Sequence, residues 1–461
     1  MLNTETTLTL TIFLCTVLFL IWRPRGLNES IPTSIGALGI FLIGAVSISD
    51  VYKILGIVTG ASITIISTII MSIVLESVGF FRWSAYNVVI KAKGSGRLLF
   101  WYIMALCFFM TMFFNNDGSI LITTPIIIEA LALLNLKTHQ KIPYLMGGAL
   151  VATAASAPIG VSNLANLIAL KIVGLDLVTY AKIMFTPSML GILCLSSLIY
   201  FYYQKDIPEH ISIRARSKGH SKKFGQANLI PPHPLLNKNQ AIAVDWSMFK
   251  FYIAIIVVVR SSFFALSGAG IPIEWMAILG AIIMIVARWW RQGTGIQDVI
   301  QKTPWHILIF AFSMYVIIYG LRNMGFTDIL VNLLREPVAS DHYSAIFIMG
   351  IALTVMSNIF NNLPAVMLGT ISLTEMGLEP YTMQIAYLAN IIGSDIGSLI
   401  MPMGTLATLI WMFILKKHKI PITWRQYLSV TLVVIPISLL VSLLSLYLWS
   451  ELISYTGQLA G

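Results

Sequence analysis

The sequence predicts an all-α polytopic membrane protein built from two inverted repeats, each with five transmembrane helices, one of them broken, and one re-entrant hairpin. Three observations lead there. Apolar residues run in long blocks, four of the blocks are interrupted by polar or Pro/Gly clusters, and the interruptions recur at a nearly constant offset.

Of 461 residues, 57% are hydrophobic and 10% charged, and the apolar residues lie in blocks instead of at the spacing of a soluble amphipathic helix. A helix rising about 1.5 Å per residue needs roughly 20 apolar residues to cross a bilayer core. Continuous spans are expected at 5–22, 32–49, 57–78, 184–204, 247–267, 271–288, 305–322 and 427–449. The first is read as a retained helix, because its flank MLNTETT has no basic n-region and no small-residue cleavage site follows. Cys15, Cys107 and Cys194 are odd in number, far apart and set in apolar blocks, which argues against a disulfide framework.

The interrupted blocks are of two kinds. Residues 98–136, around Asn115-Asn116-Asp117-Gly118, and 343–380, around Asn358 and Asn361-Asn362-Leu363-Pro364, read as hairpins that enter and leave on one side. Residues 143–172 and 381–415 are broken in the middle by Pro158-Ile159-Gly160 and Pro402-Met403-Gly404. Proline removes a donor and glycine relaxes the backbone, so the helix unwinds there.

Counting each broken segment as one crossing and each hairpin as none gives ten crossings with both termini outside. Lys53, Lys171, Lys182, Arg322 and Arg335 then fall outside and Arg260 within a span; the rest of the 29 lysines and arginines fall inside, as orientation by positive charge requires. This bias accounts for the net charge of +10 without a nucleic-acid partner; the expected surroundings are inner-membrane lipid. Residues 205–245, polar and carrying Pro231-Pro232-His233-Pro234, read as a cytoplasmic linker between an N-terminal repeat, 1–204, and a C-terminal repeat, 246–461. Its basic run from Arg214 to Lys223 reads as a topology determinant and lipid-facing charge.

A shift of 246 places Gly79-Phe80 on Gly325-Phe326 and Phe114-Asn115-Asn116 on Phe360-Asn361-Asn362, and a shift of 244 places Pro158-Ile159-Gly160 on Pro402-Met403-Gly404. Five crossings per half turn the second half upside down relative to the first. Paired broken segments in inverted repeats mark secondary transporters with a site near the midplane.

Lipid offers no hydrogen bonds, so the four interruptions must converge inside protein. The candidate substrate-binding residues are Asn115, Asn116 and Gly118 at the first tip, Ser162 and Asn163 past the first break, Asn361 and Asn362 at the second tip, and Thr405 after the second break, with Ser119, Asn166, Asn358, Ser394 and Thr408 around them. No Lys or Arg occurs in 98–136, 143–170 or 343–415, which suits a neutral polyhydroxy solute or a cation better than an anion. Asp117 and Asp395 are the proton-coupling candidates, because a carboxylate at mid-membrane costs about 2.5 to 3.5 kcal/mol unless paired, hydrated or protonated. The competing role for Asp117 is a cap on a helix starting near Ser119, which needs no acid at that depth. Arg260 is expected to snorkel or to pair within the scaffold. Glu76 and Arg322 read as boundary or gating charges that do not pair with each other, and Cys107 as core filler. No metal-ligand spacing is present, no cofactor is expected, and no GxxxxGK[ST] loop occurs, so the chain is read as a transporter and neither an enzyme nor its own ATPase.

The stretches FNNDGSILITTP, APIGVSNLANLIA, SMYVIIYGLRNMGFTDIL, FNNLPAVMLGTISL and MPMGTLATLIW closely resemble the ArsB-type arsenite and antimonite efflux permeases of the ion-transporter superfamily. The resemblance covers nearly the whole chain except the 205–245 linker. It implies export of arsenite and antimonite across the inner membrane, by proton antiport alone or together with a cytosolic arsenite-stimulated ATPase. It also implies the hairpin-and-broken-helix fold. Asn116-Asp117 carry over first, then Ser162-Asn163 and Asn361-Asn362. Some members have an acidic residue at the position of Thr153 and a lysine near Leu399, so roles placed there do not carry over. Read from the residues alone, a sodium/proton antiporter is the alternative, since acids, amides and carbonyls also suit a small cation.

Overall fold

A computed structural model describes residues 4–24, 27–211, 245–293, 295–420 and 422–456. Among them every long element is a helix, and nine helices are long and apolar enough to cross a membrane. The first half contains α1 (Thr4–Trp22), α2 (Ser30–Leu42), α3 (Ile48–Ser77), α4 (Phe80–Lys91), α5 (Gly96–Phe113), α6 (Asn116–Ala132), α7 (Thr138–Ala154), α8 (Leu164–Val173) and α9 (Leu177–Tyr202). The second contains α10 (Trp246–Ser267), α11 (Ile273–Gln292), α12 (Gln297–Lys302), α13 (His306–Asn323), α14 (Phe326–Ser340), α15 (His342–Phe360), α16 (Asn362–Glu375), α17 (Pro380–Asp395), α18 (Leu406–Lys417) and α19 (Trp424–Tyr455).

The expected hairpins are α5–α6 and α15–α16, and the expected broken segments are α7–α8 and α17–α18. Between α17 and α18 the chain makes two short 3₁₀ turns, Gly397–Ile400 and Pro402–Gly404, so this break begins six residues before the proline that signals it. Two spans differ from expectation. Gly44 adopts φ +83° and stops the second span early, and Ser47 opens α3 with a capping box closed by Asp50. The first turns of α3 therefore occupy residues expected to connect two spans.

Residues 79–91 and 325–340, expected as connections, are helices α4 and α14. Gly79 and Gly325 sit at φ +80° and +77°, a left-handed turn that glycine makes without steric cost. The Gly-Phe match between the halves is the signature of this turn. Both helices mix apolar and charged residues and are too short to span, so a search for long apolar blocks passes over them.

The packing of the halves is mutual. Helix α2 packs on α13 and α11 on α3; α6 meets α18 and α16 meets α8. The pairs α9–α19 and α3–α13 map onto themselves when the halves are exchanged. Close helix crossings use glycine: a Cβ on Gly393 of α17 would lie 2.3 Å from the Gly350 carbonyl oxygen of α15. Of the linker, 205–211 and 245 are described; its basic run from Arg214 to Lys223 lies outside the described residues.

Candidate functional site

Each hairpin tip is tied to the break in its own half. At the first tip, Asn116 N–H donates to the Ser162 carbonyl (3.0 Å), and the Ser162 hydroxyl to the Met112 carbonyl (3.3 Å). At the second, the Asn358 amide donates to Gly397 O (2.9 Å) and its oxygen accepts from Met401 N–H (2.7 Å), while the Asn361 amide donates to Met403 O (3.0 Å). Asn361 itself holds φ +77°. Unwound backbone thus receives hydrogen bonds that lipid cannot supply.

The two breaks meet at Asp395. Its Oδ2 accepts from the Ser156 hydroxyl and the Asn166 amide, both at 2.7 Å, and its Oδ1 from the Asn163 amide at 3.0 Å. All three donors belong to the first half, and the carboxylate belongs to the second. Asp395, Ser156 and Asn166 are each 0% exposed. Asn163 serves twice, because its oxygen also caps α8 through Ala165 N–H (3.0 Å). Tyr180 and Tyr387 stand beside the cluster, donating to Ala157 O (2.6 Å) and Asn166 O (3.4 Å).

The cap on α6 is Asn115, whose oxygen accepts from Gly118 N–H at 2.8 Å. Asp117 is released from that role and lies in the first turn of α6, where the helix dipole favours a negative charge. No hydrogen-bond or ion-pair partner among the described residues holds its carboxylate. Gly118 is needed for the cap, since a Cβ would fall 2.4 Å from the Asn115 oxygen. Thr405 caps α18 through Thr408 N–H (3.0 Å) and shares its hydroxyl with Thr408 (2.8 Å). Asn362 opens α16 and is buried. Around these groups, Ser119 Oγ, Asn166 Oδ1, Ser394 Oγ, Ser398 Oγ and both polar atoms of Asn390 are buried with no protein hydrogen bond.

Of the two expectations for Arg260, snorkelling is not what is seen: it is buried and held within the protein, donating to the carbonyls of Phe113 (2.7 Å) and Phe114 at the end of α5. Ser156, Asn390 and the partners of Arg260 were beyond sequence reasoning for one reason: tertiary folding, not local pattern, brings them together. Glu76 and Arg322 do not pair; Arg322 binds Glu375 (2.5 Å) and Glu76 faces Arg82 (4.0 Å). His306 meets the buried Glu29 at 3.2 Å, and Arg23 binds the same carboxylate. Burial pushes the Glu29 carboxyl up, but the His306 hydrogen bond and the Arg23 charge outweigh it and hold the group below its ordinary range.

Among the described residues, seven helices long and apolar enough to cross a membrane, two more that form the first arms of the hairpins, and two broken helices make a multi-pass membrane protein of the transporter class. Comparison with known proteins agrees. The model of the arsenical pump membrane protein family, ArsB, matches residues 8–450, and the chain belongs to that family. A Bacillus subtilis (strain 168) protein, placed provisionally by its name among the arsenical pump membrane proteins, is 49% identical over 95% of this chain and 98% of its own. An arsenical pump membrane protein of Escherichia coli is 32% identical over 95% and 97%. The crystal structure of the Alcanivorax borkumensis YdaH transporter shares the fold at 10% identity, with a TM-score of 0.50 over 96% of this chain and 99% of that one.

Proposed function

We infer that this arsenical efflux transporter exports arsenite and antimonite across the inner membrane in exchange for protons, by alternating access around the site at Asp395. The carrying observation is the Asp395 cluster: one buried carboxylate of the second half held by three donors of the first. Arsenite near neutral pH is mostly an uncharged trihydroxide, and the amides and hydroxyls around the tips and breaks offer it donors and acceptors. Asn115, Asn116, Gly118, Ser162, Asn163, Asn361, Asn362 and Thr405 form the substrate-facing set in this reading. Asp117 and Asp395 carry the proton. Residues 1–204 and 246–461 act as inverted repeats, with both termini outside and the 205–245 linker in the cytoplasm.

Neutral solute out and one proton in moves one charge. At about 100 mV this supplies about 2.3 kcal/mol, roughly a fifty-fold gradient. Reconstituted protein with imposed pH and voltage, offered arsenite, antimonite or sodium, tests the reading. Uphill arsenite movement driven by the proton gradient alone is expected, and Asp117→Asn should lose it. Sodium-driven proton movement with no response to arsenite would select a sodium/proton antiporter. A need for added cytosolic arsenite-stimulated ATPase would make the chain that motor's membrane subunit.

A further inference from the structure

We propose that Arg260 is a positioning residue for the transport site: from α10 it fixes the first hairpin tip, and through the tip it orients Asn115, Asn116 and Asp117. Its Nε–H donates to Phe113 O (2.7 Å) and its Nη2–H to Phe114 O, while Nη1 is buried without a protein acceptor. These two carbonyls belong to the last residue of α5 and its C-cap, the negative end of that helix, where a cation is favoured. The next residue is Asn115, the cap of α6, and Asp117 follows within its first turn. The guanidinium therefore grips the chain at the reversal point, where its planar fork can hold two acceptors at once.

Among the described residues the second hairpin has no such grip. The residue 246 positions before Arg260 is Leu14, and the second tip's Phe360, counterpart of Phe114, meets the ring of Phe13 at 5.2 Å instead. A buried arginine within a spanning helix is expensive to insert and needs a return in function. Among the described residues, the cationic contact is made at the first tip and an aromatic one at the second. The absence of lysine and arginine from the hairpins and broken segments does not make the region free of fixed positive charge.

The test uses the full chain in nanodiscs, with Arg260→Met and Arg260→Lys beside wild type. Hydrogen exchange read by mass spectrometry over residues 112–120 should quicken at least tenfold in the methionine variant and less in the lysine variant, with α9 and α19 unchanged. In vesicles, the KM for arsenite should rise at least tenfold in the methionine variant, less in the lysine variant, while Vmax falls less. Exchange at the tip equal to wild type overturns the proposal, as does an increase spread evenly over the chain. A KM within twofold of wild type in both variants overturns it as well. If the methionine variant does not fold, the lysine variant decides by the same criteria. The KM arm rests on the proposed substrate and the exchange arm does not: a wild type that fails to move arsenite sinks the substrate reading, and exchange alone then decides the role of Arg260.

Discussion

At the scale of residues, the site depends on how one carboxylate is satisfied. Asp395 accepts three hydrogen bonds and has no cationic partner among them, so each donor counts. Removing one donor from a buried charged group costs about 1.5 to 3 kcal/mol. Asn166→Ala should therefore raise the KM for arsenite roughly ten- to hundredfold in a protein that still folds, measured in proteoliposomes; an unchanged KM would place the cluster outside the transport path. The sequence made Asp117 legible because NNDG interrupts an apolar run. It made Asp395 less so, since the signal of its break, Pro402-Met403-Gly404, lies downstream and hides that the helix already ends at Asp395. The partners of Arg260 were unreadable: they are backbone carbonyls, which leave no trace in side-chain composition.

At the scale of elements, the hairpins and broken helices were legible because asparagine, proline and glycine have few other uses at membrane depth. Helices α4 and α14 were not, because length and hydropathy both fall short of a span. The crossing of α15 and α17 gives a direct check. Gly393→Ala puts a methyl 2.3 Å from backbone at Gly350, and overpacking of this kind costs about 1 to 3 kcal/mol. Thermal unfolding in detergent should drop accordingly, whereas Gly56→Ala, with nothing within 4 Å of its Cβ, should not be destabilised.

The joint between α11 and α12 titrates. Two hydrogen bonds from Arg288, at 2.8 and 2.6 Å, hold the Asp298 carboxyl below its usual range. A depressed folded pKa gives stability that is complete above the unfolded value, about 3.9, and is lost as pH falls through the folded one. Arg288→Met should therefore unfold at lower temperature than wild type at pH 7, and the gap should narrow below about pH 4. A gap independent of pH would show that the pair contributes through packing alone.

At the scale of the whole molecule, the two halves exchange contacts as a pair related by a two-fold axis would: α2 with α13 as α11 with α3, α6 with α18 as α16 with α8. The offset of three short motifs leads to the expectation of a duplication, because each motif marks a backbone feature that a repeat would keep. It could not predict where the symmetry fails. Among the described residues, the donors to Asp395 come from the opposite half, and the first tip alone is gripped by a cation.

The most direct test compares uphill arsenite transport by wild type and Asp395→Asn in proteoliposomes under an imposed proton gradient. The variant should bind and equilibrate arsenite at best, with accumulation against its gradient abolished. Uphill accumulation by the variant at the wild-type level would contradict the assignment of Asp395 as the group through which the two halves couple arsenite to protons.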